Sequence, residues 1–277
     1  AREGFDLALQ LHGGGRYSNP LVRRLGARVT AGLRTPDAPP LDRWVPYIYF
    51  QHETLRYLEV ASLVGAWAAP ALEPRLAVTQ RDLAQSLRVV PQTHRPLVAR
   101  HPGAGDPRRR WPAEKFARVG DALAQAGARV VVIGTEAERQ VTQAVARAMA
   151  HRALDLCGRL SLCGLAGLLW RCSLLVSNDS GPLHLARAVG TATVGIYWGP
   201  NLINAGPLTR ESHRTAQSWR FHCPECGLNC MEARCVHSAS FVADVPVEEV
   251  VGQALELLAS QRGSHPWEEG EPSPWRF

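Results

Sequence analysis

The sequence predicts an α/β protein built on parallel sheets. From residue 96 onward, apolar β-branched runs such as "ARVVVIG", "SLLVSN" and "ATVGIYWG" alternate with segments of helical periodicity. These runs are apolar along their whole length, the pattern of strands covered by helices on both faces. The chain has 277 residues, 45% hydrophobic and 20% charged, enough for one large or two ordinary soluble domains.

Taken in order, "FDLALQL" predicts a strand over Phe5–Leu11, broken at Gly13-Gly14-Gly15. A helix follows near Asn19-Pro20, with Pro20 in its first position. "ARVTAGL" reads as a second strand, residues 34–46 as a Pro-rich loop, and 49–66 as a helix with Leu55, Leu58, Val60, Leu63 and Val64 at helical spacing. Residues 67–95 hold a Pro-rich stretch and a polar helix, and mark the domain boundary. The expected division is 1–92, 93–262 and a disordered tail over 263–277. From "PLVARHPGAG" the strand–loop–helix units repeat through "GPLHLARAVG" and "ATVGIYWG", and residues 246–260 form an amphipathic helix. Gly127 ends the helix that starts at Trp111-Pro112.

No apolar run approaches a membrane span, and the N-terminus lacks the layout of a signal peptide, so the expected compartment is the cytoplasm. The net charge of +6 and pI of about 9.2 suit an anionic partner. Arg far outnumbers Lys, which offers guanidinium forks to phosphates. A codon bias toward Arg and Ala explains the composition equally well, so the weight falls on individual positions.

Two loops carry chemistry. "HPGAGDPRRRWPAEKF" follows a strand and precedes a helix. Gly103 and Gly105 let backbone N–H groups approach an anion, Arg108, Arg109 and Arg110 stand just before the helix, and its free N–H groups attract negative charge. Alone, this is an ordinary glycine turn. The second loop is "SNDSGPLHLARAVG". Pro182 fits a first helical turn capped by Ser180 or Gly181, His184 lies in that turn, and Asp179 ends the strand. Asp179 suits the hydroxyls of a sugar better than a phosphate. By itself this loop is also explained by Asp179 as a cap and His184 as a packed histidine. Two anion-ready helix ends on neighbouring strands of one sheet shift the reading to a nucleotide diphosphate.

"HPGAG…RRWPAEKFARVGDAL", "VVVIGTEAE" and "SNDSGPLHLARAVGTATVGIYWGP", in this order and spacing, resemble glycosyltransferase family 9, the ADP-heptose:lipopolysaccharide heptosyltransferase family. "FDLALQLHGGGRYSNPL" and "HETLRYLEVASLVGA" are similar to its acceptor-side domain, so the resemblance covers about residues 1–260. It implies a GT-B fold of two Rossmann-like domains facing across a cleft, with the N-terminal one incomplete here. It also implies inverting, metal-independent transfer of a sugar, heptose first, from a nucleotide-diphospho-sugar to a lipopolysaccharide-like anionic glycolipid. The work would be done in the cytoplasm at the inner face of the membrane, without nucleic acid. By the same resemblance Gly103, Ala104 and Gly105 lie along the diphosphate, Asp179, Ser180, Gly181 and His184 hold sugar and phosphate, and Glu136 contacts ribose or base.

The chain departs from the family twice. Arg109 stands where the family has Lys, a fork in place of a point charge. Family members also begin with a strand and a Gly-Asp loop that supplies the catalytic base. Nothing like it precedes Phe5, so the chain is expected to be a fragment or to have a mis-assigned start. This leaves the catalytic residue unassigned, with His12 or Asp6 as weak substitutes, and opens the alternative of a non-catalytic nucleotide-sugar-binding remnant. His12, Arg16 and Asn19 are the better candidates for acceptor contacts, ahead of His52 and Arg56.

Seven cysteines in a cytosolic-type chain argue against a full disulfide framework. Cys223, Cys226, Cys230 and Cys235 cluster, with His222 and His237 beside them, and could hold a structural zinc. A reduced loop without metal is the competing reading. No cofactor is needed for transfer. A zinc-dependent nucleic-acid binder is disfavoured, because no helix gathers the arginines.

Overall fold

A computed structural model of the chain describes residues 3–66 and 72–260. The tail expected over 263–277 lies outside the described residues. The chain divides into two compact units, Ala1–Leu72 with Ile203–Gly206, and Glu73–Leu202 with Pro207–Phe277.

The smaller unit holds β1 (Leu7–Gln10), α1 (Ser18–Arg24), β2 (Val29–Arg34), β3 (Arg43–Pro46) and α2 (Glu53–Ser62). Its three strands are parallel in the order β1-β2-β3, with Leu7 opposite Val29 and Ala31 opposite Arg43. Strand β3 falls in the stretch expected to be loop. Its sequence, Arg-Trp-Val-Pro, carries no apolar run, and Pro46 is tolerated because the strand is paired on one side only. Asp42 sets its start, accepting hydrogen bonds from the Thr30 N–H at 2.8 Å and hydroxyl at 2.7 Å.

The larger unit contains α3 (Gln80–Val89), β4 (Leu97–His101), α4 (Ala113–Gln125), β5 (Arg129–Val132), α5 (Arg139–Ala148), β6 (Leu154–Asp155), α6 (Leu162–Arg171), β7 (Leu174–Asn178), α7 (Gly181–Ala188), β8 (Thr193–Trp198), β9 (His213–Ser218) and α9 (Val247–Ser260). Helix α8 (Gly199–Ala205) follows β8, and its last residues are grouped with the smaller unit. Six parallel strands run β6-β5-β4-β7-β8-β9. The chain starts in the middle at β4, winds out to β6, then returns to β7 and winds the other way. The order reverses between β4 and β7, the point where ligands bind in open α/β sheets.

The uninterrupted apolar strands have the predicted consequence. Val98, Val130, Val132, Leu174, Val176, Val194 and Ile196 pack on one face with Phe116 and Leu123 of α4 and Val250 and Leu257 of α9. Their neighbours Leu97, Ala99, Val131, Leu175 and Tyr197 pack on the other with Leu168 and Leu169 of α6 and Leu183 of α7. The polar helix α3 belongs to this unit rather than to the N-terminal one. It packs on α6, where Gly167 leaves no space for a side chain against the Asp82 backbone. Thus the larger unit begins at Glu73, which pairs with Arg187 at 2.7 Å and accepts the Leu208 N–H at 2.8 Å. Gly127 ends α4 at φ +93, as its position predicts. Among the described residues, no helix is long and apolar enough to cross a membrane.

Candidate functional site

The loops after β4 and β7 meet at the reversal of the sheet. Asn178, the last residue of β7, joins them. Its Nδ2 donates to the Pro102 carbonyl at 2.7 Å, and its Oδ1 accepts the Trp111 N–H at 3.0 Å. Gly103 is buried, and a Cβ there would overlap the Glu138 carboxylate. Gly105 and Gly181 face open space, with nothing within 4 Å of an added Cβ. Ser180 is the N-cap of α7, but its hydroxyl turns back into the sheet. It donates to the Asn178 carbonyl at 3.0 Å and meets His101 Nδ1 at 3.0 Å. Helix α7 therefore has no side-chain cap; Pro182 carries no N–H and the Leu183 and His184 N–H groups donate to the Ser180 carbonyl at 3.0 and 3.4 Å, which leaves the Gly181 N–H of the first turn to meet an anion.

Each of the three arginines of this loop has a different partner. Arg108 forks onto Asp106, Nε to Oδ1 at 3.0 Å and Nη2 to Oδ2 at 2.5 Å. Arg110 holds the Ala104 carbonyl through Nε at 3.0 Å and Nη2 at 2.8 Å. Arg109 crosses to the other loop, its Nη1 donating to Asp179 Oδ2 at 2.9 Å. Asp179 also meets His184 Nε2 through Oδ1 at 3.2 Å and accepts Asn201 Nδ2 at Oδ2 at 2.9 Å. Burial opposes ionisation of this carboxyl, 3% exposed, yet the hydrogen bond and charge of His184, the charge of Arg109 and the bond from Asn201 hold it below the usual carboxylate range. Asp179 is thus the buried anchor of a guanidinium and an imidazole, with most of its lone pairs committed. The His184 side chain stays 42% exposed, open to a ligand.

Glu136 lies where expected, on the turn after β5, exposed and paired with Arg139. Glu138 is the carboxylate that reaches the β4 loop. Its Oε2 lies 3.4 Å from His101 Nε2 and accepts the Thr135 N–H at 2.8 Å. The hydrogen bond from His101 leads the groups that hold Glu138 down at about 2, against the effect of burial. His101, Glu138, Asn178 and Asn201 were not singled out from the sequence. A signal existed for His101 and Asn178, polar residues at the ends of buried strands that open on apolar runs; none marked Asn201.

In the smaller unit the acceptor candidates separate. His12 and Arg16 are exposed, and Arg16 lies 3.8 Å from Asp37. Asn19 is wholly buried, its Nδ2 donating to the Leu33 and Pro39 carbonyls at 3.2 and 2.9 Å, so it tethers α1 rather than facing a ligand. Arg56 is also buried. It stacks 4.5 Å from the Tyr47 ring, pairs with Glu53, and donates to the Ile48, Tyr49 and Gln51 carbonyls at 2.6, 3.1 and 3.0 Å. His52 caps α2 through Nδ1, and its Nε2 lies 2.7 Å from the Gly206 carbonyl. Asp6 pairs with Arg28 at 3.2 Å, exposed.

The cysteine segment gathers a group that could hold a metal, but not the expected one. One ligand atom each from Cys223, Cys226, Cys235 and His237 lie within 4.8 Å of one another. Cys230 stands beside them, its Sγ 4.0 Å from that of Cys235. His222 pairs through its backbone with Asn229 and is not among the four. Backbone N–H groups of Cys226 and then Glu225 point at the Cys223 sulfur and bring its thiol down to about 6.

The family model of glycosyltransferase family 9 (heptosyltransferase) matches residues 1–232. Lipooligosaccharide heptosyltransferase 2 of Haemophilus influenzae is 28% identical over 141 residues, 47% of this chain and 40% of that protein. Across the corresponding proteins of H. influenzae, H. ducreyi and Campylobacter jejuni, the chain matches 40%, 41% and 51% of their length, about half or less. The fold is shared with a family 9 glycosyltransferase from Veillonella parvula, at a TM-score of 0.76 and 22% identity over 94% of this chain and 75% of that one. It is shared also with E. coli ADP-heptose lipopolysaccharide heptosyltransferase II, at 0.68 and 20% over 92% and 76%.

Proposed function

The chain belongs to glycosyltransferase family 9, and from that premise we propose that it transfers a sugar, heptose first, from a nucleotide-diphospho-sugar to a lipopolysaccharide-like anionic glycolipid. The carrying observation is the pair Arg109 and His184, held by one buried carboxylate beside the uncapped N-terminus of α7. A diphosphate there meets a guanidinium, an imidazole and the Gly181 N–H at the positive end of the helix, the means by which a leaving group is stabilised without a metal.

The reaction is an in-line attack of an acceptor hydroxyl on the anomeric carbon, with inversion. The bond from that carbon to the diphosphate oxygen breaks as the new glycosidic bond forms, and the hydroxyl proton leaves to a base or to solvent water. Charge then grows on the diphosphate, where Arg109 and His184 become more favourable in the transition state than in the ground state. Gly103, Ala104 and Gly105 lay their backbone along the diphosphate, Ser180 and Gly181 line the helix end, and Glu136 reaches ribose or base. Asp179 acts through Arg109 and His184, a positioning role in place of the sugar contact expected for it. His12 and Arg16 are the side chains offered to the anionic acceptor, and the reading puts the work at the cytoplasmic face of a membrane. A cation in the cysteine group is structural, since thiolates close its coordination, and no step of transfer passes through it.

Calorimetric titration with ADP tests the donor reading. The expectation is binding that falls about tenfold or more in Arg109→Ala and in His184→Ala. A chain that binds no nucleoside diphosphate, or variants that bind it as the parent does, would sink the reading.

A further inference from the structure

We propose that Cys223, Cys226, Cys235 and His237 form a tetrahedral zinc site, and that this site fastens the strap which holds the Arg108–Arg110 loop in place. The sequence spacing points to four cysteines, but the geometry points to three and a histidine. With Zn–S of about 2.3 Å and Zn–N of about 2.0 Å, tetrahedral ligands stand about 3.5 Å (S to N) and about 3.8 Å (S to S) apart. Cys223 Sγ lies 3.7 Å from His237 Nδ1, and all four ligand atoms fall within 4.8 Å of one another. Three thiols and an imidazole select a borderline-soft divalent cation over a hard one.

The surroundings are those of a metal knuckle. The turn Cys223-Pro-Glu-Cys226-Gly227 closes with the Gly227 N–H on the Cys223 carbonyl at 2.9 Å, and Gly227 takes φ +70. The Cys223 N–H is held by the Leu228 carbonyl at 2.9 Å, and the Cys230 N–H by the Phe221 carbonyl at 2.8 Å. These bonds fix Cys223 and Cys226 side by side with no help from a metal. His237 turns Nδ1 to the thiols and Nε2 toward Glu225, whose Oε2 is 3.9 Å away. At this distance Glu225 acts on the imidazole through charge, without a hydrogen bond.

What the site fastens is legible on either side of it. Before it, the Arg220 carbonyl accepts Trp198 Nε1 at 2.7 Å. After it, the Phe241 N–H donates to the Arg108 carbonyl at 2.7 Å, and the Ser240 hydroxyl to the Arg110 carbonyl at 2.6 Å. The Arg108 guanidinium lies 5.5 Å from the Phe241 ring, and that ring packs 5.1 Å from Trp198. The segment from 220 to 241 is thus a strap pinned at both ends, whose residues form no named helix or strand beyond the His222–Asn229 bridge and leave Leu228 and Val236 exposed. A cation joining residue 223 to residue 237 removes most of its freedom. Two backbone carbonyls of the arginine loop depend on that strap, and Arg109 lies between them.

The metal half of this inference stands alone, whereas the coupling to Arg109 rests on the donor reading. Metal analysis of the full chain is expected to give one zinc per chain. Cys230→Ser should keep it, and Cys226→Ser and His237→Ala should lose it or weaken it by about tenfold or more. Cobalt substitution should give the intense visible bands of a tetrahedral thiolate site in the parent and in Cys230→Ser. Far-UV circular dichroism checks that the variants fold. A parent that holds neither zinc nor cobalt overturns the site. Loss of metal in Cys230→Ser with retention in His237→Ala overturns the ligand set. ADP titration of the zinc-loaded and zinc-stripped chain then reads the coupling, with affinity expected to fall about fivefold on stripping. Equal affinity in both overturns the coupling alone. No ADP binding in either overturns the coupling together with the donor reading, and leaves the metal site standing.

Discussion

Arg109 and Asp179 are 70 residues apart in sequence and 2.9 Å apart in the fold. Their bond ties the loop after β4 to the loop after β7, and the same carboxylate orients His184. Neutralising it should loosen both the guanidinium and the imidazole. Asp179→Asn is therefore expected to weaken ADP about tenfold or more while the fold is kept. Arg109→Lys should restore only part of the loss in an Arg109→Ala chain, because an ammonium cannot fork between a carboxylate and a phosphate. Calorimetry on the three variants checks this; an Asp179→Asn chain that binds ADP like the parent removes the positioning role.

Glu138 makes the β4 loop sensitive to acid. Its folded carboxyl sits at about 2, below an ordinary value of 4.5. A depressed carboxylate adds stability that is fully present above the unfolded value and is lost as pH falls toward the folded one. The window runs from about 4.5 down to about 2. Glu138→Gln should unfold at a lower temperature than the parent at pH 7, and the gap should narrow through that window. Thermal unfolding at pH 7, 4.5 and 3 measures it, and a gap of constant size would show that Glu138 adds nothing through its charge.

The loop glycines separate crowding within the protein from crowding of a ligand. Gly103→Ala drives a Cβ into the Glu138 carboxylate and to 3.0 Å from His101 Nε2. It should cost about 1–3 kcal/mol of stability. Gly105→Ala and Gly181→Ala meet no protein atom within 4 Å. They should leave the melting temperature within a degree or two yet lower ADP affinity, by crowding the space a diphosphate needs. If Gly105→Ala and Gly181→Ala both bind ADP unchanged, the diphosphate does not lie along these loops.

How far the sequence can be read depends on which interactions are local. Strands β4, β5, β7 and β8 are legible because burial on both faces demands an unbroken apolar run. Strand β9, "HRTAQS", and β3, "RWVP", are edge strands with one partner each, and their polarity hides them. Helix α3 carries a legible cap, Thr79 with Asp82, but nothing local says that it packs on α6, so the unit boundary moves from residue 93 to Glu73. The loops of the site are legible because glycine, proline and arginine are dictated by backbone shape and charge. The partner of Asp179 is not, since it comes from another strand. Asn19 and Arg56 fail for the complementary reason: a polar side chain in a motif can serve backbone carbonyls as readily as a ligand. The same holds for Cys230 and His237, whose exchange in the metal group depends on how the strap folds back.

Two buried arginines should respond in opposite ways to the same replacement. Arg100 points from β4 into the core, wholly buried. Its Nη1 donates to the Phe116 carbonyl at 2.7 Å, Nη2 meets Met149 Sδ at 2.6 Å, and Nε has no partner. No carboxylate pairs with it among the described residues, and burial pushes it down to about 10, with Asp121 only partly opposing. Arg100→Met removes a poorly solvated charge and keeps the length of the side chain, so stability should rise by about 1–3 kcal/mol. Arg56 is equally buried but holds three carbonyls, Glu53 and the Tyr47 ring. Arg56→Met leaves those carbonyls unpaired and should cost about 3 kcal/mol or more. Urea denaturation reads both variants. Destabilisation in both would mean that Arg100 gains more from Phe116 and Met149 than its burial takes away.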